Sequence, residues 1–141
     1  MRFMILVKTT ENTETGALPG EKLISDMADY HEELARAGVL LDASGLQPTA
    51  KGWRVRYSGE KRSVLDGPFT ESKELVAGYT LIQVKTREEA LEWARRFPHP
   101  SGGGDAEIEV RQLYEPEDFG PSEGMDRFRE LALGEEKKRR S

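Results

Sequence analysis

The chain has 141 residues, which is enough for one domain with a hydrophobic core and a short appendage. Its formal net charge of −5 argues against a nucleic-acid-binding face, because phosphate contacts need a dense basic footprint. The lack of cysteine excludes disulfides and zinc fingers, and two histidines far apart in sequence predict no metal site. The apolar run at 3–7 is too short for a signal peptide or membrane span, so we expect a cytoplasmic protein without membrane contact.

The first half of the chain predicts a strand, a helix and a second strand. Alternating apolar residues predict a strand at about 2–8 that is apolar on both faces. After a polar loop at 9–19, apolar residues at intervals of three and four predict a helix at about 20–37, with Gly38 as its C-terminal cap. Residues 39–43 form the next predicted strand.

The middle of the chain predicts a β-hairpin followed by a buried strand. Apolar and basic residues alternate at 53–57, which is typical of a half-exposed strand, and a turn leads back into 61–65. Residues 75–84 are apolar in both alternating positions, so this strand is predicted to be covered on both faces.

A helix and a last strand follow. Thr86 and Glu89 have the spacing of a capping box, in which each side chain bonds an amide at the start of a helix. Pro98 ends that helix, and alternation at 107–111 predicts the last strand.

The predicted order is strand, helix, strand, hairpin, strand, helix, strand. This is an α+β, ferredoxin-like split βαβ fold with an inserted β-hairpin. Two helices cover only one face of the sheet, whereas the strands at 2–8 and 75–84 are apolar on both. We therefore expect a homodimer in which two sheets pack face to face around a two-fold axis.

The composition changes to proline, glycine and charged residues from Glu115 onward. We therefore predict a domain at 1–120 and a tail at 121–141. The tail has the apolar spacing of a short amphipathic helix and ends in a purely charged run.

Residues 66–74, DGPFTESKE, form a turn with reactive groups around it. The Asp66 side chain can bond the backbone two residues on, and Gly67-Pro68 predicts an extended geometry. Phe69 has the character of an apolar anchor. The charged residues that follow, which either bind a polar ligand or face water, are Glu71, Lys73 and Glu74.

This block identifies a family when it is read with Lys-Gly at 51–52, Arg-Val-Arg at 54–56 and Ala-Gly-Tyr at 77–79. Together these segments closely resemble the DGPF-type proteins of the YCII-related group, and the resemblance covers roughly residues 1–120. It implies a small bacterial protein of ferredoxin-like fold that forms a dimer of the α+β barrel type. The reactions of this group are largely unassigned.

The resemblance also implies a candidate catalytic pair. Smaller YCII-type members are thought to use a His–Asp pair with the histidine near the first helix, and His31 and Asp66 are similar in type and rough location. From the residues alone, His31 is either a hydrogen-bonded core histidine or a proton carrier beside a cleft. Asp66 is either a general base or the side chain that holds its turn.

Other residues are candidates for binding a small polar or anionic ligand. Arg54, Arg56 and Arg62 on the hairpin are suited to clamp a carboxylate or phosphate, or they are simply solvated. Tyr79 follows a glycine that would allow close approach, and it is either a ligand contact or an interface aromatic. His99 is expected to be exposed. The predicted binding residues are Arg54, Arg56, Gly67, Pro68, Phe69, Glu71, Lys73, Glu74 and Tyr79.

Motifs for nucleotide binding, serine hydrolysis and zinc proteolysis are absent from the sequence, so no cofactor is expected. Two functions remain. One is cofactor-independent acid/base chemistry of the lyase or isomerase type on a small organic molecule, with His31 and Asp66 as acid and base. The other is a non-enzymatic ligand-binding or regulatory module. For the latter, resemblance adds that DGPF-type proteins are often encoded beside, or fused to, extracytoplasmic-function sigma factors.

Overall fold

The computed structural model describes residues 1–70 and 74–140, without the side chains of 11–12 and 132–140. The strands of these residues are β1 Arg2–Lys8, β2 Leu40–Gly45, β3 Trp53–Ser58, β4 Lys61–Asp66, β5 Val76–Gln83 and β6 Ile108–Gln112. The helices are α1 Glu11–Glu14, α2 Glu21–Arg36, α3 Arg87–Arg95 and α4 Glu123–Arg140.

Four of the strands form one antiparallel sheet in the order β2-β5-β1-β6. The strands β1 and β5 lie in the centre of this sheet, and β2 and β6 form its edges. The β3–β4 hairpin is a separate two-stranded sheet inserted between β2 and β5. This topology confirms the predicted ferredoxin-like α+β fold.

The core lies between the sheet and the helices α2 and α3. Phe3 and Ile5 of β1 pack with Ile82 of β5, Leu34 of α2 and Ala90 of α3, and all five are buried. Burial of a side chain of the size of Leu or Ile contributes about 1.5–3 kcal/mol to stability. One face of the sheet is therefore covered by α2 and α3.

A hydrogen bond fixes α2 against α3 within this core. The Tyr30 hydroxyl donates to the Trp93 carbonyl at 2.6 Å, and the Tyr30 ring packs edge-on against Trp93 and Phe97. Burial raises the pKa of Tyr30 to about 12, so the hydroxyl keeps its proton and remains a donor at neutral pH. At the surface of the same contact, the Arg96 guanidinium pairs with the Glu33 carboxylate.

The start of α3 contains half of the predicted capping box. The Thr86 hydroxyl accepts from the Glu89 backbone N–H at 3.1 Å, as expected for an N-cap. The Glu89 carboxylate does not return to the Thr86 amide. It accepts instead from the amide of Lys85, one residue earlier, at 3.4 Å.

The other face of the sheet points away from α2 and α3. We call it the open sheet face, and it carries the side chains that alternate with the core positions of β1 and β5. Met4 lies opposite Leu81, and Leu6 lies opposite Tyr79. All four side chains are only partly exposed, so a continuous apolar strip crosses the middle of this face.

Two helices differ from the sequence prediction. The predicted loop at 9–19 contains α1, where Thr10 and Thr13 each accept a hydrogen bond from the other's backbone amide. This reciprocal pair satisfies amides at the start of the helix and explains why so short a helix forms. In the tail, α4 has 18 residues and runs through the charged segment, because Glu, Lys and Arg are good helix formers.

Candidate functional site

A cavity of about 910 Å³ opens between the N-terminal half of α2 and the strands β2 and β5. Residues 16–20 before α2 and residues 99–102 after α3 form its mouth. We call it the His31 cavity, because His31 and Thr80 line it together. Clefts of this size between a helix layer and a sheet are typical of small-molecule sites.

Both ring nitrogens of His31 are engaged. Nδ1 lies 2.7 Å from the Met27 carbonyl oxygen, and Nε2 lies 2.8 Å from Thr80 Oγ1. A carbonyl oxygen only accepts, so Nδ1 must carry the proton and donate it to Met27. In the neutral ring Nε2 is then the basic nitrogen and accepts from the Thr80 hydroxyl. Helix geometry explains the first bond, because residues 27 and 31 are one turn apart on the same face of α2.

Thr80 was missed by sequence reasoning. It is 2% exposed and lies on the helix-facing side of β5, opposite Ile5 of β1 and Ala43 of β2. A buried hydroxyl needs a hydrogen-bond partner, and His31 supplies it. In the sequence, Thr80 is a hydroxyl residue at a position of β5 where the alternation predicts an apolar side chain facing the core.

Two aromatic side chains pack against the His31 ring. The Tyr30 ring packs edge-on with a centroid distance of 5.4 Å, and the Phe97 ring does so at 6.3 Å. The ring therefore has two hydrogen bonds in its plane and aromatic edges around it. This arrangement fixes its orientation toward the cavity.

His99 lies at the mouth and has the opposite tautomer. Its Nδ1 accepts from the Ser101 backbone N–H at 3.2 Å, so its Nε2 carries the proton and donates to the Gly104 carbonyl at 2.9 Å. Both nitrogens are thus used to shape the loop at 99–104. The residue is exposed, as expected from the sequence.

The DGPF turn lies away from the cavity lining and docks on residues 49–52. The Gly67 N–H donates to the Gly52 carbonyl at 3.0 Å, and the Phe69 N–H donates to Thr49 Oγ1 at 3.0 Å. The peptide between Gly67 and Pro68 is cis. A Cβ on Gly67 would lie 1.8 Å from the Thr49 carbonyl oxygen, so only glycine allows this approach.

A carboxylate from α1 supports the docking segment from the other side. Glu14 accepts from the Thr49 backbone N–H at 3.0 Å and from the Thr49 hydroxyl at 2.6 Å. Such charge-assisted bonds are stronger than neutral ones. Thr49 therefore connects Glu14 with Phe69, a role that no motif in the sequence indicated.

Asp66, at the end of β4, is exposed and does not line the His31 cavity. Within 1–70 and 74–140, no group donates a hydrogen bond to its carboxylate. Glu74 is likewise exposed outside the cavity, whereas Glu71 and Lys73 lie outside the described residues.

The predicted binding residues of the hairpin also lie outside the cavity lining. The Arg54 guanidinium lies 3.8 Å from the centre of the Phe69 ring, a cation–π contact, and Arg56 is exposed on the same strand. Tyr79 is a lining residue of the cavity, but its side chain alternates with Thr80 and lies on the open sheet face, where its hydroxyl donates to Asp42 at 2.8 Å. The structure thus brings together His31 and Thr80, while Gly67, Pro68 and Phe69 dock on residues 49–52 outside the cavity lining.

No cluster of three or more His, Asp or Glu side chains suited to a metal ion occurs in the part of the chain that the structure describes. Of the helices described there, none is both long and apolar enough to cross a membrane.

The contact of Gly67 with Thr49 predicts a large effect of a single methyl group. Gly67→Ala should lower the free energy of unfolding by about 1–3 kcal/mol or more, because neither backbone segment can move away cheaply. Gly52→Ala is the matched control, since its Cβ would lie 3.6 Å from the same oxygen, an ordinary contact. Urea denaturation should show a change within about 0.5 kcal/mol for the control. Equal losses in the two variants would contradict the docking described here.

The chain is similar in sequence to known proteins. The model of the YCII-related domain matches residues 1–114. An uncharacterized protein of Rhizobium meliloti (strain 1021) is 32% identical over 97 residues, which is 68% of this chain and 78% of that protein. The matched region contains β1 to β6, the His31 cavity and the DGPF turn, and the chain belongs to the YCII-related family.

Proposed function

We propose that this YCII-related protein binds a small organic molecule in the His31 cavity and exchanges a proton with it through His31. The chemistry would be cofactor-independent and of the lyase or isomerase type. The observation that carries the proposal is the pair of hydrogen bonds on the His31 ring. A general base needs one nitrogen free of a proton and a fixed orientation, and the Met27 carbonyl supports both requirements.

Thr80 would act as a relay between the ligand and His31. A hydroxyl donates one hydrogen bond and accepts others, so Thr80 can donate to His31 Nε2 while accepting a ligand proton. In the forward step the ligand gives its proton to Thr80 Oγ1, and the original Thr80 proton moves to Nε2. The products are an imidazolium and a ligand anion. Return of a proton to a different ligand atom completes an isomerisation, and loss of a leaving group completes an elimination.

Asp66 has no step in this proposal. In many acid/base sites a carboxylate holds the histidine tautomer, and here the Met27 carbonyl occupies that position on Nδ1. The Asp66 carboxylate lies at the end of the hairpin strand β4, beside the turn that docks on Thr49. An exposed carboxylate outside the cavity lining is poorly placed to exchange a proton with a ligand in the cavity.

Proton exchange provides a test that needs no knowledge of the natural reaction. Compounds that raise the melting temperature in a thermal-shift screen would be incubated with the protein in D₂O, and deuterium incorporation at carbon would be followed by NMR, because O–H and N–H protons exchange with the solvent unaided. His31→Gln and Thr80→Val should reduce protein-dependent exchange by roughly 10²-fold or more, the usual contribution of general-base catalysis. Asp66→Asn should leave both exchange and melting temperature unchanged.

Two results would overturn this assignment. Full exchange in folded His31→Gln would remove the histidine from the chemistry. Loss of exchange in folded Asp66→Asn would instead restore the carboxylate to a catalytic role. Circular dichroism of each variant separates these outcomes from simple unfolding.

A second candidate function rests on the hairpin. Residues 51–66 carry five basic and two acidic side chains in a chain of net charge −5. Trp53 and Val64 on β3 and β4 are 67% and 68% exposed. An isolated two-stranded hairpin with exposed apolar residues is marginal in water, which favours a partner. A regulatory module that contacts an acidic protein, including one linked to sigma-factor-dependent transcription, would use this surface.

A cytoplasmic homodimer is part of the same proposal. Support comes from the apolar strip of Met4, Leu6, Tyr79 and Leu81 on the open sheet face, which lies opposite the helix layer. Packing two such faces around a two-fold axis would bury the strip in both copies.

The proposed dimer makes a prediction that separates the open sheet face from the hairpin. Leu81→Lys should yield a monomer or an aggregate, because the dimer would bury an unpaired charge. Val64→Lys, the matched change on the hairpin, should leave the dimer intact. Sedimentation equilibrium at micromolar concentration measures both. A monomeric wild type, or dissociation by the hairpin change alone, would reject this interface.

A further inference from the structure

We infer that the His31 cavity takes an uncharged, largely apolar molecule that presents one hydrogen-bond donor to Thr80. This inference rests on the proposed function and names the ligand class of that site. It departs from the polar or anionic ligand expected from the hairpin arginines, which do not line the cavity.

The charges of the lining support an uncharged ligand. Among the described residues that line the cavity, Lys22 and Asp26 are the two with fixed charges, and they pair with each other at 3.0 Å. The Lys22 side chain is 90% exposed, so this pair lies at the mouth. An ionised ligand inside would lose its hydration without an unpaired opposite charge to replace it, which is costly.

Most polar side chains around the cavity already have partners. Thr10 and Thr13 bond each other's backbone amides, and both nitrogens of His99 bond the loop at 99–104. The Ser101 hydroxyl donates to the Gly103 carbonyl. When the His31 ring is neutral, Thr80 donates to it, so the remaining capacity of the Thr80 hydroxyl is to accept. A hydroxyl or amine N–H on the ligand is therefore the matching group.

The start of α2 is the one feature that would favour an anion. Gly20, the N-cap, has no side chain to bond the first amides of the helix, and helix N-termini attract negative charge. Glu21 in the first turn already supplies a carboxylate there. Its negative charge opposes the binding of a second one at this end of the helix.

Apolar side chains dominate the rim. Leu18 is 90% exposed, and Ile24 and Leu46 are also more than half exposed at the cavity. Covering such side chains is favourable in proportion to the apolar area removed from water. The apolar body of a bound molecule would cover them, whereas a small polar ligand would leave them in water.

Two fluorophores that differ by one charged group test the inference on the full chain. N-Phenyl-1-naphthylamine is uncharged and carries one N–H donor, and 1-anilinonaphthalene-8-sulfonate has the same skeleton with an added sulfonate. Fluorescence titration should give at least about tenfold tighter binding of the uncharged probe, equivalent to about 1.4 kcal/mol.

Substitutions inside and outside the cavity test whether the uncharged probe binds there. Ala43 lies opposite Thr80 on the helix-facing side of β2, so Ala43→Phe should fill the cavity and weaken binding of the uncharged probe by about tenfold or more. Ala28→Phe, on an exposed part of α2 outside the lining, is the matched control and should leave binding unchanged. Leu18→Ser, at a side chain too exposed to affect folding, should also weaken binding and replaces Ala43→Phe if that variant does not fold.

The outcomes separate the ligand class from the site itself. Equal or tighter binding of the sulfonate probe, lost in Ala43→Phe, would overturn the uncharged class and leave the cavity as a binding site. Absence of binding by both probes, or binding that neither Ala43→Phe nor Leu18→Ser alters, would overturn the inference and count against the cavity as the site.

Discussion

The hydrogen bond between His31 and Thr80 is the interaction on which the candidate site depends. It joins α2 to the centre of the sheet at a polar point in an otherwise apolar layer, and the Met27 carbonyl determines which nitrogen takes part. Without Thr80, the basic nitrogen would lose the hydroxyl that donates to it. Without His31, a hydroxyl that is 2% exposed would lose its partner. The half-buried His31 therefore makes the burial of the Thr80 hydroxyl tolerable.

The DGPF turn is connected to the cavity lining through Thr49 and its neighbours. It bonds Thr49, and Thr49 bonds Glu14 of α1. Thr13 of α1 and Thr10, just before this helix, line the cavity. Pro48, next to Thr49, lines the cavity as well. A change in the turn would therefore reach the cavity through α1 and the segment at 48–52. These contacts explain how a turn that requires glycine at position 67 could affect the cavity although it lies outside the cavity lining.

Periodicity in the sequence was sufficient for the sheet and its two central helices, because burial on one face imposes a period that can be read directly. The fold and the family followed from this and from the DGPF block. Contacts between residues far apart in sequence leave no periodic pattern, so they could not be predicted in this way. Thr80 became important only because antiparallel pairing places it beneath α2, and Glu14 only because α1 formed within a polar stretch. The length of α4 was underestimated because its charged residues lack an apolar period, although they have high helix propensity.

Measuring the tautomers of the two histidines tests most directly whether His31 is held as an oriented base. Two-bond ¹H–¹⁵N correlation NMR at alkaline pH, where imidazole is neutral, distinguishes a protonated Nδ1 from a protonated Nε2. We expect His31 to carry its proton on Nδ1 and His99 on Nε2, so each histidine is the internal control for the other. Replacement of Thr80 by valine should leave the His31 tautomer unchanged, because the Met27 carbonyl holds it. A proton on Nε2 of His31, or rapid averaging between the two nitrogens, would contradict the claim that this ring is held as an oriented base.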